Sequence, residues 1–548
     1  MKNIKSLAIA GLAILILGFN SCSPEFLDRK PTTAIDADRA LTSVSNIEGA
    51  TVGLMMYFAT SGYAGRNLPV IGDLITDNLT TSAGNSGHLL DIEMWNISSS
   101  LSEVGTFWNG SYQVVSAAAK VVQACNKLRD EASESEKSTL DKCKATALTI
   151  KAFAEYILTQ YYCLPYAAAN SSMPYPVPGP DQMNGIILVP KDRPESSDNA
   201  INSSSTLRSA SLAETYAHMH EELSDAIALF DASSKDYANS NAAFFPSKCM
   251  ALTLKARLYL EQSYGDATNR DIFRDSAVSL AKAALADLPS GANAALVGDG
   301  QKFLEQYRAF AAPTTEDILT VNFTTSDNLS ANSINNMFGS YGCRASSAVT
   351  SLFGGSDIRK TIYLSAAQNK ELEIFSSCGK YPNENQINNV PVIRVPELYL
   401  IMAEASVGKG PDGDYMEGMM KTLGVRDTSI NGDYEKLKSS YFKDGTGEDA
   451  LLKYVLDERR REYTGEGYRW FDLRRTKSTL THSGKDFRIQ FTDYPIYAFA
   501  FPIPESETNT GAWKNGLLHQ NEAWEANGDS WSIRYVLPSA NGSDYSFE

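Results

Sequence analysis

The side chains most capable of chemistry are concentrated near the C-terminus, in residues 451–475. That stretch reads LLKYVLDERRREYTGEGYRWFDLRR and holds six arginines, five acids and several aromatic rings. Clustered arginines can bind an anion or nucleic acid, and carboxylates beside them can act in acid–base catalysis. A third use is structural, because opposite charges at helical spacing pair with each other.

The spacing of these charges favours the structural use. Arg461 lies four residues after Asp457 and three after Glu458, so one helix face can carry all three. Arg469 and Asp472 repeat the arrangement on the next predicted helix. The five acids nearly neutralise the six arginines, which argues against a site for a polyanion. The predicted scaffold ion-pair network consists of Asp457, Glu458, Arg461, Glu462, Arg469 and Asp472.

The rest of the sequence has no recognisable catalytic or metal-binding motif. It contains five histidines and none of the patterns HExxH, GxSxG or GxxxxGK[ST]. His218 and His220, two residues apart on a predicted helix, are expected at the surface rather than on a metal. A carboxylate pair for glycoside hydrolysis leaves no sequence pattern, so that alternative stays open. We predict no catalytic residues, no metal ligands and no cofactor, with a structural calcium ion left open.

Charge and cysteine content narrow the class of protein. The net charge of −16 disfavours nucleic acid as a partner. The cysteines are widely spaced without a CxxC pair, which indicates neither a zinc site nor a dense disulfide scaffold. Cys343 and Cys378 lie in loop-rich sequence and could pair in an oxidising compartment. Cysteines within helical patterns are predicted to be buried small hydrophobic residues.

The N-terminus is typical of an export signal. Two lysines precede an apolar run from Leu7 to Phe19, which is shorter than the about 20 residues that a membrane span needs. The run ends in Ser-Cys, which resembles the lipobox of bacterial lipoproteins. Residues 1–21 are therefore predicted to be a signal peptide, and Cys22 the lipidated first residue. An ordinary secretory signal with a chance cysteine is the alternative.

Helical periodicity dominates the chain that carries these groups. Apolar residues recur at three- and four-residue intervals, and each segment ends near Gly, Pro, Ser or Asn. Two segments share the pattern ALT[IL]KA. The predicted helices cover residues 108–129, 137–162, 210–231, 246–264, 271–287, 395–408 and 449–463.

One pair of predicted helices resembles a tetratricopeptide unit. Residues 255–289 read as helix, turn and helix, with small side chains that let the two helices approach closely. Any alanine-rich helical hairpin is the alternative, although several such pairs favour an α-superhelix. Long polar loops at 167–209 and 323–356 are where ligand contacts are expected. The small side chains are Ala256, Ala277, Ala281 and Ala284.

The charged stretch also carries a family resemblance. ERRREYTGEGYRWFDLRR resembles the C-terminal signature of the SusD/RagB-like outer-membrane lipoproteins. Other pieces agree in order, namely CSPEFLDRKP, WNGSYQVVSAAAKVVQACNKL, PVIRVPELYLIMAEASVG, FPIPESE and HQNEAW. Two segments depart from the family pattern: MMKTLGVRDTS replaces N-x-x-R-x-R-A, and the final Q-N lacks a following P-G.

The resemblance implies a fold, a location and a partner. The fold is mainly α, a tetratricopeptide-like α-superhelix with an irregular, loop-rich C-terminal region containing short strands. The helical region would be residues 22–320, and residues 321–548 would carry ligand loops and the remaining scaffold helices. Such proteins are anchored by lipid on the exterior of the outer membrane, partner a SusC/RagA-type TonB-dependent transporter and capture glycans for import. They are not enzymes.

Two alternatives to glycan capture stay open: the same scaffold binding peptides, and a lipid-anchored glycoside hydrolase. A glycan site needs aromatic rings among amides and charges on loops. Composition alone therefore nominates ligand-contact residues in two segments, DIEMWNISS and NNMFGSYGCRAS. Trp95 could instead be a core residue, and Tyr341 could be ordinary loop packing. The nominated residues are Trp95, Asn96, Asn335, Asn336, Phe338, Tyr341 and Arg344.

Overall fold

The structure is a computed structural model, and it describes most of the chain after residue 40. The described residues are 41–82, 85, 87–170, 179–189, 210–233, 242–308, 310–327, 329–363, 380–382, 387–483, 486–510, 513, 518–521, 524–527 and 530–533. Cys22 and Cys378 lie outside these residues, so lipidation and the Cys343–Cys378 pairing stay predictions.

Helices make up most of the described chain, which confirms the mainly α fold class. The first half contains α1 (Val44–Phe58), α2 (Asn67–Leu74), α3 (Leu90–Glu93), α4 (Ser102–Arg129), α5 (Glu134–Tyr162), α6 (Leu212–Ala232), α7 (Lys248–Gly265) and α8 (Arg270–Leu285). The second half contains α9 (Gly300–Gln306), α10 (Ile334–Phe338), α11 (Ser347–Thr350), α12 (Lys360–Tyr363), α13 (Pro396–Ala405), α14 (Asp414–Lys421), α15 (Leu423–Arg426), α16 (Tyr434–Tyr441), α17 (Glu448–Tyr463), α18 (Tyr468–Arg475) and α19 (Glu505–Thr508). Within the described part of the chain, no helix combines the length and apolarity that a membrane crossing requires.

Strands are short and antiparallel, as the resemblance implies. They are β1 (Leu79–Thr80), β2 (Asp317–Val321), β3 (Arg344–Ala345), β4 (Val390–Arg394), β5 (Leu480–His482), β6 (Phe491–Tyr494), β7 (Trp524–Asn527) and β8 (Ser530–Ile533). β1 pairs with β3, β2 with β4, β5 with β6, and β7 with β8. Single 3₁₀ turns cover Tyr166–Asn170, Ala242–Phe244, Thr325–Asp327, Ser330–Asn332, Val407–Lys409 and Ile496–Ala498.

The long helices stack in chain order. α4 packs on α5, α5 on α6, α6 on α7, α7 on α8, α8 on α13 and α13 on α14. Ser133 and Ser211 start α5 and α6 with capping boxes, which fix where these helices begin. The small side chains predicted to let α7 and α8 approach are fully buried, and the tetratricopeptide-like arrangement is confirmed. These side chains are Ala256, Ala277, Ala281 and Ala284.

A buried group of charges joins α5 to α6. The Lys151 ammonium donates to Glu155 Oε1 at 2.5 Å and to Glu222 Oε1 at 2.6 Å, and it lies 3.1 Å from His218 Nε2. Burial alone would lower the pKa of His218, but hydrogen bonds to Glu155 and Glu222 raise it to about 9. The two cations, Lys151 and His218, balance the two carboxylates, Glu155 and Glu222. Because each charge has a partner, the interface between the helices can bury them.

The prediction that both histidines of α6 lie at the surface is wrong. His218 belongs to the buried charge group, and its side chain is 17% exposed. The ring of His220 packs against that of Tyr259 with centroids 4.2 Å apart, and its Nε2 lies 2.8 Å from Gln262 Oε1. Two positions on one helix can both be covered here because α6 is packed between α5 and α7.

Buried apolar side chains form one large core and one smaller core. The large core draws on residues before and after position 320. The smaller core is built from residues 400–468. The two sequence regions predicted to meet at residue 320 therefore share packing in the described part of the chain.

Candidate functional site

The charged stretch folds as α17, a tight turn and α18, and most of its charges are buried. Glu458, Glu462 and Arg474 are each 0% exposed. Buried charges require partners, and most of these partners come from distant parts of the sequence. We define the charge frame as the connected set Glu316, Asp357, Arg359, Lys380, Arg394, Arg426, Glu458, Arg461, Glu462 and Glu466.

Glu462 is the centre of the charge frame. Its Oε1 accepts from Arg394 Nη1 at 2.7 Å and from Arg426 Nη2 at 2.9 Å. Its Oε2 accepts from Arg359 Nη1 at 2.9 Å. Burial alone would raise the pKa of Glu462, but the three guanidinium groups together hold it well below its ordinary range. The frame contains as many cations as carboxylates, so it is balanced as a unit.

Only part of the predicted pairing along α17 is present. Glu458 and Arg461 lie 3.4 Å apart, as their spacing predicts. Asp457 contacts Lys453 at 3.5 Å instead of Arg461. Arg461 is turned toward Glu458 and the carbonyl of Leu352, which leaves Asp457 near the solvent side of the helix.

The predicted pairing along α18 is wrong. Arg469 contacts Asp77 at 2.8 Å, and Asp77 belongs to the segment after α2. Asp472 contacts Arg459 at 2.8 Å and Arg475 at 2.5 Å. Of these three partners, Arg475 lies at i,i+3 spacing from Asp472. Asp77 and Arg459 lie on other elements, and spacing along one helix does not predict such partners.

The glycine turn between α17 and α18 is held by α2. Asp73 Oδ2 accepts from the backbone N–H of Gly465 at 2.7 Å and of Gly467 at 3.2 Å. A Cβ on Gly72 would lie 2.2 Å from the carbonyl oxygen of Gly467, so the two backbones touch. Burial raises the pKa of Asp73 to about 6, although these backbone donors oppose the rise.

The same helices fix the strand pair β1–β3. Arg460 Nε donates to Asn78 Oδ1 at 2.9 Å, and its Nη2 lies 3.1 Å from Asp77 Oδ2. Ser346 binds back to this segment, with its Oγ donating to the Asp77 carbonyl at 2.6 Å and its N–H to the Asn78 carbonyl at 2.9 Å. The segment from Asp73 to Asn78 is thereby anchored to α17 and to the turn that follows it. Ser346, which follows β3, is anchored to the same place through Asp77 and Asn78.

α10 anchors the loop that leads to β3, and this corrects three of the predicted ligand contacts. Phe338 is fully buried with its ring centroid 5.2 Å from that of Tyr381. Asn335 Nδ2 donates to Asn388 Oδ1 at 2.7 Å, and Asn336 Nδ2 to the Ser330 carbonyl at 2.6 Å. All three side chains are buried, so they hold the loop in place and do not offer a surface to a ligand. They are Asn335, Asn336 and Phe338.

Above this support two aromatic side chains meet from different segments. The rings of His88 and Tyr341 stack with centroids 3.6 Å apart and planes 25° apart. Both side chains are partly exposed. Asn85 Oδ1 accepts from the His88 N–H at 2.9 Å, and Leu89 adopts a φ of 54°, so this backbone is held in a conformation that costs energy. We name the His88–Tyr341 pair the aromatic platform.

Polar groups surround the aromatic platform. Arg66 donates from Nε to Asn67 Oδ1 at 2.9 Å and from Nη1 to Asn332 Oδ1 at 3.3 Å. Asn332 belongs to the turn just before α10, and the carbonyl of Asn336 in α10 accepts from the Tyr341 N–H at 2.9 Å, so the Arg66 guanidinium is bonded to the segment that carries Tyr341. Burial lowers the pKa of His88, and the charge of Arg66 lowers it further. Partly exposed rings beside amides and a guanidinium match what a sugar needs, namely an apolar contact for C–H groups and partners for hydroxyls.

The other nominated residues separate into core and surface positions. Trp95 is 1% exposed and packs against Phe491, with ring centroids 5.3 Å apart, so it is a core residue and not a ligand contact. Asn96 is exposed, and its described bonds stay within its own turn, to Asp91. Arg344 is partly exposed on β3, next to the platform loop.

Two residues of this site, Arg66 and His88, were not predicted. His88 ends the run TTSAGNSGH, whose Ser, Gly and Asn content indicates a loop and was the available signal. Arg66 has no local signal, because its closeness to His88 follows from the packing of α2 and the loop before it.

One described group has the closeness of metal ligands, namely Glu155, His218 and Glu222. The Lys151 ammonium lies 2.5 to 3.1 Å from atoms of all three. It supplies the positive charge that a metal ion would otherwise bring, so this group does not fit a metal.

Comparison with solved structures shows the fold. A SusD superfamily protein from Bacteroides vulgatus is 21% identical with a TM-score of 0.65, covering 88% of this chain and 100% of that chain. A putative sugar binding protein from Bacteroides vulgatus is 19% identical with a TM-score of 0.66, covering 88% and 99%. A laminarin binding SusD-like protein is 17% identical with a TM-score of 0.59, covering 87% and 99%. The curated proteins contain no match.

Family models match both ends of the chain. The model described as the SusD family matches residues 368–524, which include the charged stretch. The model described as "Starch-binding associating with outer membrane" matches residues 25–260, which include the long helices α4 to α6 and most of α7. Together with the fold, these matches show that the chain belongs to the SusD/RagB-like family.

Proposed function

We propose that the protein captures oligo- or polysaccharide at the cell surface and delivers it to a TonB-dependent transporter of the SusC/RagA type. In this proposal the chain is held on the outer membrane by a lipid on Cys22, and it binds its ligand without chemical turnover. The aromatic platform is the ligand site.

The stacked pair His88–Tyr341 is the observation that carries the proposal. The two rings meet in a partly exposed position, and a guanidinium is bonded to an amide in the turn that precedes the segment carrying Tyr341. Each ring covers one face of the other, so the opposite face or the edge of either ring is what a sugar could contact. Because the loops on both sides are anchored to α17 and to the glycine turn that follows it, the rings are pre-organised for binding.

Similar proteins and family models support the proposal independently of the site geometry. One matching family is described as starch-binding and associating with the outer membrane. One structure of the same fold is described as laminarin binding. Both descriptions belong to those proteins, and they make glycans the first ligand class to test on this chain.

The test is binding of the purified chain to a panel of soluble polysaccharides and protein digests, followed by calorimetry with the retained ligand. Tyr341→Ala and His88→Ala should each weaken binding by about tenfold or more, because each removes about half of the apolar contact. Tyr434→Ala is the matched control, since Tyr434 is also partly exposed but contacts Asp412 and Lys438.

Three results would contradict the proposal in different ways. Retention on protein digests alone would favour peptides as the ligand. Shortening of a polymer by the purified protein would favour the hydrolase. Full affinity in both platform variants, with unchanged thermal melts, would move the site elsewhere on the molecule.

A further inference from the structure

The arginines beside the aromatic platform differ from those of the charge frame. Arg66 is satisfied by two neutral amide oxygens, those of Asn67 and Asn332. Arg344 lies on β3, three residues after Tyr341. Among the described residues, no carboxylate oxygen lies within 4.0 Å of a guanidinium nitrogen of Arg66 or Arg344, which is the limit for an ion pair. Each arginine of the charge frame has such a carboxylate.

Two carboxylates whose charges act on these arginines have other hydrogen-bond partners. Glu103 accepts from Ser102 Oγ at 2.8 Å and attracts Arg66 from beyond ion-pair distance. Asp486 accepts from the backbone N–H of Ser347 at 2.9 Å. Hydrogen bonding by Ser347 lowers the pKa of Asp486, and the more distant Arg344 adds to that effect. Within the described part of the chain, both guanidiniums therefore have no anionic partner at ion-pair distance.

A guanidinium that is partly removed from water gains most from a charged acceptor. Its planar donors match the two oxygens of a carboxylate or a sulfate, and such bonds are about twice as strong as those to neutral acceptors. Amide partners such as Asn332 orient Arg66 without neutralising it. A ligand that stacks on Tyr341 or His88 would bring its ring substituents within reach of this group.

We infer that the aromatic platform binds an acidic saccharide, one that carries a carboxylate or a sulfate group, and that Arg66 contacts this group. The inference rests on the proposed function, because it names the class of glycan taken by the same site. The rings contact the C–H face of the sugar, and the guanidinium contacts its anion. Arg66 is then the residue that determines specificity between acidic and neutral glycans.

The test is calorimetric titration of the full mature chain with three oligosaccharides of matched length: a neutral glucan, an oligogalacturonate and a sulfated galactan. One acidic ligand should bind more tightly than the glucan, and added NaCl should weaken only the acidic one. Arg66→Gln should reduce that affinity about tenfold to hundredfold, the effect of a lost hydrogen bond to a charged group. Arg66→Lys, which keeps the charge but loses the planar donors, should be intermediate.

Arg270→Gln is the matched control, because Arg270 is 47% exposed on α8 and lies 3.6 Å from Asp271. It should change neither affinity nor salt dependence. A glucan that binds as tightly as both acidic ligands, or an Arg66→Gln variant with unchanged preference, would overturn the inference and leave the proposed function standing. Absence of binding to all three ligands and to the wider glycan panel would overturn both.

Discussion

Replacing Glu462 by glutamine tests whether the charge frame behaves as one balanced unit. Glu462 is fully buried and accepts from Arg359, Arg394 and Arg426 at 2.7 to 2.9 Å. Glutamine keeps the shape of the side chain but removes its charge. One of its two terminal groups becomes an amide donor that faces a guanidinium, and the frame is left with one unmatched positive charge.

The expected cost follows from the burial of that charge. Removing one partner of a buried ion pair costs about 3 to 5 kcal/mol, which is a large part of the about 5 to 15 kcal/mol that stabilises an ordinary domain. Asp457→Asn makes the same chemical change on the same helix. Among the described residues, the ion-pair partner of Asp457 is Lys453, a 60% exposed side chain 3.5 Å away, so the loss of Asp457 should cost about 0 to 1 kcal/mol.

Urea unfolding followed by tryptophan fluorescence measures both variants. The free energy of unfolding should fall by at least about 2 kcal/mol more for Glu462→Gln than for Asp457→Asn. Because the pKa of Glu462 is held below its ordinary value of 4.5, its contribution is present above pH 4.5 and is lost as pH falls through the folded pKa. Equal losses in the two variants at pH 7 would refute a cooperative frame.

Two further predictions concern pH and the membrane anchor. Burial raises the pKa of Asp73 to about 6 and that of Asp317 to about 7, so the folded state binds protons that the unfolded state has released. Stability should therefore rise as pH falls from neutral toward 3.8, by about 3 kcal/mol for Asp73 alone, and thermal melts that peak above pH 7 would contradict this. Cys22→Ala should give a folded protein that leaves the outer membrane when the transporter is absent but co-purifies with the transporter when it is present. Continued membrane attachment without the transporter would exclude Cys22 as the anchor.

The helices were predictable because their signal is local. The spacing of apolar residues and the caps at Ser133 and Ser211 are formed by residues of the helix itself or next to it. The helix can therefore be predicted without knowing any distant residue. The burial of Ala256 and Ala277 followed for the same reason, since small residues on one helix face indicate a close neighbour. The family resemblance then implied how the helices are arranged, as a tetratricopeptide-like superhelix, which periodicity alone does not give.

The site was less predictable because exposure is decided by tertiary packing. Trp95 and Phe338 have the composition of a sugar-binding loop, yet both are covered by residues far away in the sequence. Tyr341 has the same kind of neighbours in sequence and remains partly exposed. Composition therefore identified the loop that carries Tyr341, whereas the contact with His88 required the fold.

The ion pairs of α17 and α18 also connect the scaffold to the site. Spacing indicated a bracing role and argued against an anion site, and the charge balance of the frame agrees with both points. Asp73 and Arg460 connect the segment leading to His88 to α17 and the glycine turn. Phe338 lies 3.4 Å from the position of a Cβ on Gly465, so it connects the loop of Tyr341 to the same turn. The distance between the two rings is thus set by a buried support on which both segments depend. A change in this support that left the protein folded would alter the spacing of the platform without touching either ring, because a packed core passes on small shifts and does not absorb them.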